Sequence, residues 1–264
     1  MKSIELPEVG HLHIAKRYAR QNMGQAMRGD IRRGLVELIT NADDSYRALE
    51  DEKKKITGKI RIEVTRRRKD RSSFVVVRDR AAGMNREEMR NNLLHLGGRA
   101  SDLERNKDRR GFFGRGAKDV AAFGKVHFES IKNNIYNELT IFLSTKYELQ
   151  PDHRNTVTSE IRERLGIPRG NGTVVTIEIS QGTVVPLHET LLQDLSSWYS
   201  LRDICSSLSR EVKLFDVNSD TDDLIKYTYP NGEIVVDEEL TVPDYPDATF
   251  KLVIVKHDSA YLEL

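Results

Sequence analysis

Apolar residues recur at three- and four-residue steps in one early stretch and at two-residue steps in the next. That change of period lays out the fold. Ile31, Leu35, Leu38, Ala42 and Leu49 line one side of a helix predicted from about Asp30 to Leu49, with Asp30 placed to cap it. Lys59 to Thr65 alternates, with Ile60, Ile62 and Val64 on one side, as a strand does. Phe74 to Arg78 is nearly all valine, the pattern of a strand covered on both faces. A short helix from Arg86 to about Leu96 carries Met89, Leu93 and Leu96 and stops at Gly97–Gly98. Arg99 to Arg110 is charged without an apolar period, which is loop chemistry at a length typical of a functional lid. A helix over Ala117–Phe123 is stopped by Gly124. Strands are predicted at Lys125–Ser130, Leu139–Ser144 and Thr173–Ile179. A helix follows at Leu187–Leu208, with Leu191, Leu195, Trp198 and Ile204 buried. From Val212 onward the pattern returns to short strands, Glu233–Val236 and Phe250–Val255.

This order predicts an α+β fold with helices layered on one face of a largely antiparallel sheet. Residues 1–28 read as an arm punctuated by Pro7 and Gly10. Residues 29–211 read as the main domain, with a lid at about 97–116. Residues 212–264 read as the start of a second β-rich unit, so the chain is expected to be a fragment of something longer.

The 264 residues are 38% hydrophobic and 31% charged, with a net charge of +1, which argues against a globally basic nucleic-acid binder. Cys205 is the single cysteine, so no intrachain disulfide forms and a reducing, cytoplasmic setting is expected. No apolar run suggests a membrane span, and the N-terminus lacks a signal-peptide core.

Three segments carry chemistry. Glu37, Asn41 and Asp44 stand at i, i+4 and i+7 and share one helix face. A carboxylate there can polarise a water, and an amide oxygen one turn later can ligate Mg²⁺, which prefers hard oxygen donors. The competing reading is a polar helix edge in solvent. Asp79 ends the valine strand, where a carboxylate needs a donor such as an adenine amine, and Gly83 allows close approach of backbone to a flat base. An ordinary turn after a strand is the alternative. Gly111, Gly114 and Gly116 precede a helix that carries Lys118, and such a turn can aim N–H groups and the positive helix end at phosphates. It is not a Walker loop, because Ala117 follows Gly116.

As a set, these segments resemble the GHKL superfamily: gyrase, the heat-shock chaperone ATPases, histidine kinases and MutL. The family's first motif, Glu-x-x-x-Asn-Ala/Ser-x-Asp-Ala, is matched by Glu37, Asn41, Ala42, Asp44 and Ser45. Its second, Asp-x-Gly-x-Gly-Met, is matched by Asp79, Gly83 and Met84, with Ala81 in place of the first glycine. The glycine box is matched by Gly111, Gly114 and Gly116, and a late Gly-Thr by Gly172–Thr173. The continuation into Lys118 looks most like the Microrchidia (MORC)-type and prokaryotic histidine kinase-like relatives. The resemblance spans roughly residues 28–210.

It implies the Bergerat ATP-binding fold, a two-layer α/β sandwich. It implies Glu37 as general base, Asn41 on Mg²⁺, and Asp79 on the adenine amine with Thr173 helping through a water. Gly83 and Met84 would border the base. Gly111, Gly114, Arg115, Gly116, Ala117 and Lys118 would surround the phosphates, and Asp44 would steady the pocket. It also implies ATP-driven pairing of two copies through the arm and lid, a client that is DNA or protein, and a DNA-linked or defence role. An alternative is an interaction module gated by ATP without significant hydrolysis. If the family glycine has positive φ, Ala81 costs about 1–2 kcal/mol.

Rival signals are weaker. His188-Glu189 faintly resembles a kinase phosphoacceptor but lies after the pocket. His11 and His13 find no companions for a zinc site. Lys53–Lys55 and Arg66–Lys69 read as solvated turns before phosphate contacts. Arg109 and Arg110 flank the lid, facing a γ-phosphate, a partner or solvent. Trp198 and Tyr199 read as core residues of the late helix.

Overall fold

The computed structural model describes residues 16–52, 56–67, 71–94, 116–150, 155–230, 232–242 and 245–256. Two helices open the fold, α1 (Lys16–Met27) and α2 (Ile31–Asp51). Strands β1 (Gly58–Thr65) and β2 (Ser73–Asp79), then α3 (Arg86–Leu93) and α4 (Gly116–Asp119), follow. A 3-10 turn at Val120–Ala122 leads into β3 (Gly124–Lys132), β4 (Ile135–Ile141) and β5 (Tyr147–Leu149). Next come α5 (Ser159–Leu165), β6 (Gly172–Ile179), α6 (His188–Ser197) and α7 (Arg202–Cys205). The described chain ends in β7 (Arg210–Asp216), β8 (Thr221–Leu224), β9 (Glu233–Val242) and β10 (Tyr245–Lys256).

Eight strands form one sheet in the order β5-β4-β3-β6-β2-β1-β7-β8. Every pairing in it is antiparallel except β1 with β7. One face carries the main core. Ile60, Ile62, Val64, Val75, Val77, Val126, Phe128, Ile177 and Leu214 meet Leu35, Leu38, Ile39 and Ala42 of α2 and Leu191 and Leu195 of α6. The two-residue period of the strands and the helical period of α2 thus deliver one buried layer each. Val76 points the other way, into a smaller core with Ile131, Tyr136, Leu165, Ile167 and Val174. That second core explains why β2 lacks polar alternation. β9 and β10 form a separate antiparallel hairpin.

α2 lies where its period placed it, and Asp30 Oδ1 accepts from the Arg32 N–H at 3.0 Å. Four expectations need correction. Residues 16–27, read as arm, form a helix whose Met23 and Met27 enter the main core, while residues 1–15 lie outside the described residues. The helix expected over 187–208 breaks at Trp198, which is extended (ψ 115°), and Tyr199 is exposed. In the turn before the break, Ser197 Oγ donates to the carbonyls of Gln193 and Asp194. β4 starts earlier than predicted, because Asn133 and Asn134 both adopt positive φ (51° and 62°) and close a tight β3–β4 hairpin. Finally, β7 and β8 complete the main sheet, although the sequence put residues from 212 in a second unit.

Candidate functional site

The first motif, the second and the late Gly-Thr meet at the end of the sheet where β2 finishes. Tyr46, on α2, reaches across to both strands. Its hydroxyl accepts from the N–H groups of Lys59 (3.1 Å) and Arg80 (2.8 Å) and donates to the Lys59 carbonyl (2.8 Å). Burial pushes its pKa up to about 12, so it stays a neutral donor. One residue earlier, Ser45 Oγ accepts from the Ala82 N–H at 3.2 Å. The first motif is therefore bonded to the second.

Asp79 is the centre of the second motif. Its Oδ1 accepts from the N–H of Ala81 (2.8 Å) and of Thr173 (3.3 Å), which joins the late Gly-Thr to the same carboxylate. Desolvation by burial raises its pKa from 3.8 to about 6, against the opposing effect of those two N–H donors. Among the described residues Oδ2 has no hydrogen bond. Ala81 is absent from the residues with positive φ and its methyl sits in the core, so the expected strain does not arise. The glycine requirement falls on Gly83 instead. Its φ is +65°, and a Cβ there would lie 2.2 Å from the Ile131 carbonyl oxygen. Gly172 packs as closely: a Cβ would meet the Asp79 carbonyl oxygen at 2.5 Å.

Ser130 ties these pieces together, and sequence reasoning missed it. Fully buried on β3, its Oγ accepts from the Met84 N–H (2.7 Å), donates to the Gly172 carbonyl (2.9 Å) and lies 3.1 Å from Thr173 Oγ1. Asn137 on β4 adds an N–H bond to the Met84 carbonyl at 3.3 Å. Neither residue belongs to a recognisable motif; only the alternation of β3 and β4 puts them on the core face. Below Met84, Asn85 and Glu88 form a reciprocal cap on α3, with Lys132 on Glu88 at 2.5 Å.

The α2 face beside this loop presents Glu37, Asn41 and Asp44. Glu37 is exposed at the surface, yet desolvation around its carboxyl, and secondarily the Asp44 carboxylate, raise its pKa. The Asn41 amide nitrogen is buried without a hydrogen-bond partner among the described residues. A buried donor left open is costly unless something fills it, and a phosphate oxygen is a fitting acceptor. Asn41 also offers an amide oxygen, a hard donor suited to Mg²⁺. Gly116, Ala117, Lys118 and Asp119 form α4 against α2, and Lys118 is only 4% exposed. Gly111, Gly114, Arg115 and the lid with Arg109 and Arg110 lie outside the described residues.

The rival positions are engaged elsewhere. His188 Nε2 sits 2.8 Å from Asp223, and Arg66 binds Asp216 (2.6 Å) and the Pro186 carbonyl (2.7 Å).

α2 thus brings a carboxylate and an open amide beside the Gly83 turn and the desolvated Asp79 at one end of a mixed sheet. A sequence model described as "Histidine kinase-, DNA gyrase B-, and HSP90-like ATPase" matches residues 30–162, and the chain belongs to that family. The match begins at the α2 cap and includes Asp79 and Gly83; Thr173 lies beyond it and joins through the fold. No curated protein matches the chain. Among the described residues, no helix is long and apolar enough to cross a membrane.

Proposed function

We propose that this domain binds ATP with Mg²⁺ and hydrolyses it. The observation that carries the reading is the Asp79 carboxylate, held through Oδ1 by two backbone donors with Oδ2 left to accept a hydrogen bond. An adenine 6-amino group supplies that bond, while Gly83 keeps the flanking backbone thin enough for the base. Thr173 Oγ1, steadied by Ser130, is the adjoining polar contact. The open amide nitrogen of Asn41 suits a phosphate oxygen and its amide oxygen suits the metal. Mg²⁺ there would offset phosphate charge as the terminal phosphate departs. Glu37 takes a proton from the attacking water; a raised pKa makes it a stronger base than an ordinary glutamate. Gly114, Gly116 and Lys118 contribute at the phosphates by resemblance to the family. The same resemblance extends the proposal to ATP-dependent pairing of two copies, with DNA or protein as client and slow turnover in the monomer.

The test is Glu37→Ala. Its ATP affinity, by calorimetry, is expected to stay within a few-fold of wild type while phosphate release disappears. Equal, slow release from both proteins would reject hydrolysis and leave ATP as a conformational clamp.

A further inference from the structure

The reverse face of the sheet, away from the helix layer, carries a second cluster of chemically active groups. Val126 and Phe128 of β3 and Leu139 of β4 enter the main core, so the alternating residues His127, Glu129, Tyr136 and Glu138 face the other way. Glu129 and Glu138 are direct cross-strand partners. Like charges in that position repel, so the pairing calls for something between them.

The groups present only half supply it. Arg164 takes Glu129 Oε1 at 2.6 Å. That leaves Glu129 Oε2 3.6 Å from His127 Nδ1, and Glu138 Oε2 3.2 Å from His127 Nε2. The Tyr136 hydroxyl lies 2.7 Å from Glu129 Oε1 and 2.8 Å from Glu138 Oε2, but its single proton serves one of them. Two carboxylates against one guanidinium leave the cluster short of one positive charge when His127 is neutral.

We propose that His127, Glu129 and Glu138 form a binding site for a divalent transition metal of the zinc class. One ligand atom from each already lies within 4.8 Å of the others. Metal bonds of about 2.0–2.2 Å require these atoms to draw closer, which rotation of the half-exposed Glu138 permits. An imidazole with two carboxylates suits zinc, whereas Mg²⁺ and Ca²⁺ favour oxygen ligands throughout. The Glu129 side chain is 6% exposed, so its charge is little screened, while His127 and Glu138 open to solvent and give the ion a way in. The site is distinct from the nucleotide pocket, which lies across the sheet. It shares β3 with it: Ser130, next to Glu129, anchors the pocket loop.

Zinc chloride titrated into the full chain by calorimetry tests this, with Co²⁺ absorption as a spectroscopic readout. Wild type is expected to bind one Zn²⁺ and to give a visible Co²⁺ band. His127→Ala and Glu138→Gln are each expected to weaken Zn²⁺ roughly tenfold or more, with circular dichroism confirming that both fold. No Zn²⁺ binding by folded wild type, or an unchanged Co²⁺ band in His127→Ala, overturns the proposal.

Discussion

Replacing Asp79 with asparagine separates the two demands on this carboxylate, because they have opposite signs. Burial raises its pKa from the ordinary 3.8 to about 6, so the folded protein holds this proton more tightly than the unfolded chain does. A raised carboxylate pKa contributes stability that is fully present below the unfolded value of 3.8 and lost as pH rises through 6. At about 1.4 kcal/mol for each tenfold, the charged carboxylate costs the nucleotide-free fold up to about 3 kcal/mol at pH 7.5. The substituted amide does not titrate, and its oxygen can keep the N–H bonds from Ala81 and Thr173. Asp79→Asn is therefore expected to raise the melting temperature of the nucleotide-free protein at pH 7.5, by up to roughly 6–12 °C. The gap should fall to about half at pH 5 and close near pH 4. With ATP the gap nearly closes. The amide nitrogen of the variant would face the adenine amine, donor against donor. A wild-type gain of about 2.7 kcal/mol at a hundredfold excess over Kd is then expected to vanish in the variant. Melting curves at three pH values, with and without ATP and Mg²⁺, read both effects. A less stable nucleotide-free variant, a gap that ignores pH, or an undiminished ATP shift would refute the reasoning.

Gly83→Ala forces a Cβ to 2.2 Å from the Ile131 carbonyl at a φ of +65°, so a loss of at least about 2 kcal/mol is expected in urea unfolding, together with lost ATP binding. Asp43→Ala strips a partner from Arg210, whose side chain is 3% exposed and bridges Asp43 (2.6 Å) and Glu50 (2.6 Å) from β7 to α2. Breaking a buried pair is expected to cost about 3–5 kcal/mol, measured by the same unfolding curves.

Where sequence and structure agree, one physical signal dominates locally. The α2 face, the β1 alternation and the valines of β2 each report burial directly, and Glu37, Asn41 and Asp79 sit on those elements. α5 has clear local end signals: Thr158 caps it and Gly166 ends it at a φ of 62°, in the plain order Thr-Ser-Glu…Leu-Gly. α1 was not legible, because only Met23 and Met27 mark its buried side within a polar run. The break in the late helix falls at Trp198, itself one of the apolar positions of the pattern, so periodicity does not register it. Ser130 and Asn137 stayed hidden for a different reason. Their roles arise from strand pairing, so no local pattern distinguishes them from other polar residues in β3 and β4.

A crystal structure of the chain with Mg²⁺ and a non-hydrolysable ATP analogue tests the central claim most directly. It is predicted to show the adenine 6-amino group hydrogen-bonded to Asp79 Oδ2, with the Asn41 side chain at the metal and phosphates of the same molecule. A nucleotide seated elsewhere, or one that engages Asp79 while its phosphates stand clear of α2, would contradict it.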